Sequence, residues 1–144
     1  MSKEWWKRAA LILASAALFG CGDDAPFDYV PVSGKLTYED GTPIPAGGME
    51  LQFFAQDAKP VNGAHPRPAG TKVDASGNFA NVTSYKYGDG LVLGKHKVSI
   101  DYATDAKGKL LVPKDYTHGG TTPLIVEITE DSADVPLEIK VPRP

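Results

Sequence analysis

Beyond residue 30, apolar and polar residues alternate with a period of two along most of the chain. Val30, Val32, Gly34, Leu36 and Tyr38 fall on one face, with Ser33, Lys35 and Thr37 on the other. That is the signature of a strand with one buried side. Met49, Leu51 and Phe53 alternate with Glu50 and Gln52 and predict a second strand. Short runs at 71–73 and 79–82 flank Asp74-Ala75-Ser76-Gly77, the pattern of a hairpin. His96, Val98, Ile100 and Tyr102 alternate with Lys95, Lys97, Ser99 and Asp101, the clearest half-buried strand in the chain. Leu124, Val126 and Ile128 predict another strand, and Val135, Leu137, Ile139 and Val141 a closing one. Residues 39–43 read as a turn built on Gly41. The stretch 55–68 holds Pro60, Pro66 and Pro68 without periodicity and reads as a long loop. No apolar stripe of helical period persists for three turns beyond the N-terminal run. The pattern predicts one all-β domain of two sheets around a shared core, with no internal repeat.

The N-terminus follows a different rule. Residues 1–8 are net positive and precede an uncharged, largely apolar run at 9–20. That run is well short of the roughly 20 residues a spanning helix needs, and it reads as a secretory signal. The small-x-small site Ala14-Ser15-Ala16 would cut inside the run. Leu18-Phe19-Gly20-Cys21, by contrast, resembles the lipobox of bacterial lipoproteins: an aliphatic residue at −3, a small one at −1, then cysteine. Phe19 departs from the small or β-branched residue usual at −2. The resemblance implies a signal peptide over 1–20, a diacylglycerol thioether on Cys21, a tether over 21–29 and a domain over 30–144. It places the protein in the cell envelope, held to a membrane and facing the periplasm or the cell surface. With a single cysteine, a disulfide within the chain is excluded.

Charge narrows the partners. The formal net charge is -3, and residues 1–20, with Lys3, Lys7 and Arg8 against Glu4, hold more than their share of the positive side. The remaining body is therefore more acidic still and carries no cluster of basic residues. Nucleic acid is not an expected partner.

The run VSGKLTYEDGTPIPAGGMELQFF, beginning at Val32, resembles the opening of carboxypeptidase-regulatory-like, transthyretin-like domains. Val32, Gly34, Leu36, Asp40, Gly41, Pro43, Ile44, Gly47 or Gly48, Met49, Leu51 and Phe53 occupy the pattern's places. VDASGNFANV is similar to the family's second hairpin through Asp74, Gly77 and Phe79, and GKHKVSI matches through Gly94, Val98 and Ile100. VPKDYTHGGTTPLIVEI, beginning at Val112, resembles a segment of small lipoproteins of this type. His96 stands where the family usually has tyrosine. The resemblance implies a seven-stranded Greek-key β-sandwich of the immunoglobulin-like or transthyretin-like kind.

Candidate chemistry is sparse. His65, His96 and His118 lie on three separate segments without metal-ligand spacing, so no metal or other cofactor is expected. His96 shares parity with core positions and reads as a packed histidine, while His65 and His118 read as loop residues. Asp74-Ala75-Ser76-Gly77-Asn78 spaces oxygens like the start of a calcium loop but lacks its later ligands, and reads as an Asx-type turn. There is no G-x-S-x-G elbow. The chain ends EIKVPRP, without the Tyr-Arg-Gly-Ser tail of the purine-pathway hydrolase among transthyretin-like domains. No enzymatic activity is expected. Tyr85, Tyr87, Tyr102 and Tyr116 are the aromatics from which a glycan-stacking patch would be built. The expected contact regions are 55–68 and 84–90, with His65, Arg67, Tyr85, Tyr87, Tyr116 and His118 as ligand-loop candidates. The expected function is a non-catalytic interaction or structural module of the envelope, contacting an envelope protein or a glycan. The alternatives are a glycan- or small-ligand-binding module and an accessory domain of an envelope enzyme.

Overall fold

The computed structural model describes residues 25–144; Leu18, Phe19, Gly20 and Cys21 lie outside them. The described chain is all-β, with nine strands in three sheets. They are β1 (Tyr29–Val30), β2 (Gly34–Tyr38), β3 (Glu50–Ala55), β4 (Ala69–Lys72), β5 (Asn78–Phe79), β6 (Leu91–Val92), β7 (Gly94–Asp101), β8 (Ile125–Ile128) and β9 (Leu137–Val141). A four-stranded antiparallel sheet runs in the order β4-β3-β7-β8, and a three-stranded sheet in the order β5-β2-β9. β1 and β6 form a separate two-stranded ribbon. β2 and β9 pair in parallel, so the first strand of the three-stranded sheet lies beside the last strand of the chain. A parallel pair needs a long crossover, and here β3 to β8 supply it.

One hydrophobic core draws on both larger sheets. Leu51 and Phe53 of β3 and Val98 and Ile100 of β7 meet Leu36 of β2 and Ile139 and Val141 of β9, all essentially buried. The period-two pattern explains this directly, because alternate side chains of a strand leave on the same face. The rings of Phe53 and Phe79 sit 6.2 Å apart. Tyr38 is buried too, and its hydroxyl donates a 2.7 Å hydrogen bond to the Leu111 carbonyl, which satisfies its polar end. Gly34 permits the β2–β9 approach: a Cβ there would overlap the Leu137 carbonyl and lie 2.7 Å from the Phe79 ring.

Alternation mispredicts where it meets local hydrogen bonding. The strand expected at 79–82 stops at Phe79, because Asn81 takes the left-handed conformation at φ 54. Tyr102, expected on the apolar side of β7, has φ 59 and is 67% exposed. The reversal after Asp101 turns it outward. Val135 is exposed rather than opening β9. A 3-10 turn at Glu130–Ala133 precedes it, closed by a capping box in which the Ser132 hydroxyl accepts from the Thr129 N–H. Thr37, placed on the polar face by parity, is buried. The segment read as tether is structured at its end, where Tyr29 pairs with Val92 and its ring packs edge-on against Phe27 at 6.3 Å.

Candidate functional site

The loop at 84–90 is organised by one carboxylate. Asp89 Oδ1 accepts from the Ser84 N–H at 2.8 Å, and Oδ2 accepts from the Tyr85 and Lys86 N–H groups at 3.0 and 2.7 Å. The Ser84 hydroxyl donates to the Gly90 carbonyl, and the Gly88 N–H donates to Thr83 Oγ1 at 3.0 Å. Backbone donors that would otherwise require water are thus satisfied within the loop. Gly90, at φ 98, crosses against the Val30 backbone so closely that a Cβ would overlap the Val30 carbonyl.

This frame sends the two loop tyrosines to different places. Tyr85 is 37% exposed and stacks under the Arg67 guanidinium, 5.6 Å from ring centroid to Cζ. Tyr29 joins the same cluster. Burial, then the Asp89 carboxylate, raises its phenol above the ordinary value, with Arg67 opposing. Tyr87 is 83% exposed and stands at the margin of a cleft of about 650 Å³.

That cleft follows the β4 edge of the four-stranded sheet. Glu50 lies between Lys72 on one neighbouring strand and Asp101 on the other, so the three share one face. Burial and the opposed Glu50 push the Asp101 carboxyl up, and His118 works against them. Further along β4, Gly70 exchanges two backbone hydrogen bonds with Thr83, which occupies the strand's outer edge at that point. Asn78, Asn81 and Tyr87 complete the rim beside Asp74, whose Oδ1 accepts from the Ser76 and Asn78 N–H groups as an Asx turn does.

The remaining sequence candidates scatter. His65 is an exposed residue of the 55–68 loop. Tyr116 is partly buried against the hydrophobic core, so it serves packing rather than a ligand loop. His118 is exposed, and its carbonyl accepts from the Thr121 and Thr122 N–H groups. His96 is buried, with Nε2 2.8 Å from the Val92 carbonyl. Among the described residues no three His, Cys, Asp or Glu side chains converge as metal ligands. Nor is any helix there long and apolar enough to cross a membrane.

No family model, curated protein or solved structure matches the chain.

In sequence, 84–90 is an expected contact region because it reads as a loop, whereas Glu50, Lys72, Asn78 and Asn81 read as ordinary strand or turn residues. Their adjacency follows from the β3–β4 register and from the return of the chain at 80–83, which no local signal encodes.

Proposed function

We propose that the chain is a lipoprotein of the cell envelope whose β-domain is a non-catalytic binding module held at a membrane through Cys21. The observation that carries the anchor is Leu18-Phe19-Gly20-Cys21, placed at the end of a short apolar run and holding the chain's only cysteine. Only residues 22–24 separate Cys21 from Ala25, the first described residue. Four steps of extended chain reach at most about 14 Å, which would hold the β1 end of the domain close to the lipid surface. Each methylene buried in lipid contributes about 0.8 kcal/mol, so two or three acyl chains anchor the protein stably.

For the domain itself we favour a seven-stranded Greek-key sandwich of the carboxypeptidase-regulatory-like, transthyretin-like type. Seven of the nine strands lie in the two larger sheets, and both sheets feed one core. The turns on which the resemblance rests are formed: Asp40 Oδ1 accepts from the Thr42 N–H at 2.9 Å, and Asp74 closes the 74–78 turn. A binding role is supported by loops clamped by their own side chains on a packed scaffold, since little order must be gained when a partner docks.

The anchor is tested by metabolic labelling with a fatty-acid analogue in a bacterial host. Wild type should be labelled and Cys21→Ala should not; equal labelling of the two would end the proposal.

A further inference from the structure

The geometry points to the β4-edge cleft as a site for a neutral oligosaccharide, with Tyr87 as the platform on which a pyranose ring stacks. This deepens the binding-module reading by naming its ligand class, and it holds whether or not Cys21 is lipidated.

Tyr87 is the first reason. At 83% exposure its ring is offered to water, although the loop carrying it is clamped by the Asp89 carboxylate. An aromatic side chain has only two torsions to freeze, so on a preorganised loop it binds a flat apolar face at little entropic cost. The axial C–H face of a pyranose is such a surface, and its rim of hydroxyls requires both donors and acceptors within reach. The cleft supplies both kinds: the Glu50 carboxylate accepts, the Lys72 ammonium donates, and the Asn78 and Asn81 amides do each. Its volume of about 650 Å³ lies in the range of small-ligand sites.

Charge and edge chemistry set aside other occupants. Glu50 and Asp74 outnumber Lys72 in the lining, and Asp101 stands opposite Glu50, so phosphate, sulfate and uronate groups would be repelled. An extended peptide could not add its own hydrogen-bond ladder here, because Gly70 is already bonded to Thr83.

The test uses the full chain solubilised in a polyoxyethylene detergent, whose headgroup carries no sugar. Fluorescein-labelled cellotetraose and chitotetraose are titrated by fluorescence polarisation, with tetragalacturonate as the anionic comparator. At least one neutral tetrasaccharide should bind, and Tyr87→Ala should weaken it by up to about tenfold, the upper end of what aromatic stacking supplies. Tyr87→Phe should retain binding, and Tyr85→Ala, on the Arg67 side of the loop, should leave it unchanged. Equal thermal melts of wild type and Tyr87→Ala establish that a loss is not unfolding. The proposal falls if neither neutral tetrasaccharide binds below about 10 mM, if Tyr87→Ala binds as wild type does, or if tetragalacturonate binds more tightly. Loss of fatty-acid labelling would remove the anchor and leave this result untouched.

Discussion

Acid should weaken this protein through His96. Its ring is only 2% exposed, and the carbonyl of Val92 lies 2.8 Å from Nε2, which assigns the proton to that nitrogen. Nδ1 has no partner among the described residues. A second proton would therefore place a charge in the core with nothing to receive its N–H. Burial is the main reason the pKa falls below the ordinary 6.5, while the Val92 carbonyl and Asp57 act in the opposite direction. The unfolded chain takes up this proton near pH 6.5, and the folded chain only at lower pH. Between those two values the unfolded state binds more protons, so stability falls as pH falls. The contribution is fully present above 6.5, and the steepest loss one group can cause is about 1.4 kcal/mol per pH unit. Urea unfolding of residues 22–144 from about pH 7.5 down to about pH 5 reads this slope. His96→Phe is the control. It leaves the Val92 carbonyl without its donor and should lower stability at neutral pH, yet its curve should be flatter because the ring no longer titrates. Identical pH dependence in wild type and His96→Phe would refute the reasoning, since carboxylates common to both proteins cancel in the difference.

Three further outcomes follow from particular contacts. Gly41→Ala and Gly90→Ala both place a Cβ at positive φ, but only at Gly90 does it meet the Val30 backbone, while Gly41 has nothing within 4 Å. Thermal or urea melts should show a cost of about 1–2 kcal/mol for Gly41→Ala and a clearly larger one for Gly90→Ala; equal costs would contradict the packing. Asp101 faces Glu50 across the β3–β7 pair, and its raised pKa makes the folded state lose stability as pH rises above the ordinary carboxylate value of 3.8. Asp101→Asn should therefore stabilise at neutral pH by about 0.2–1 kcal/mol, the general scale of directly opposed cross-strand pairs. That gain should vanish in acid below 3.8, and a destabilised variant at pH 7 would show the pair to be favourable. Asp89→Ala removes the acceptor for three backbone N–H groups. It should cost about 2 kcal/mol in urea melts and speed amide exchange at 84–86, whereas unchanged exchange there would mean the loop holds itself.

The all-β class was legible in sequence because strands with one buried face advertise themselves by alternation. Leu51 and Phe53, and Val98 and Ile100, occupy the buried positions their parity assigns. The two aspartate turns were legible for a related reason: an Asx turn is closed by groups within a few residues of each other. Lone deviations such as Tyr102 and Val135 were not, since a left-handed residue or a single capping box overrides parity without changing composition.

What the sequence determined by itself was therefore local: which residues alternate, where the chain turns, and that a single cysteine follows a signal-like run. Only tertiary structure decided that β2 lies parallel to β9, that Tyr85 and Tyr87 part company, and that Glu50 stands between Lys72 and Asp101 beside the cleft. Strand pairing joins residues far apart in the chain, and its register is chosen by the shared core rather than by any one strand. The cleft beside β4 inherits that choice.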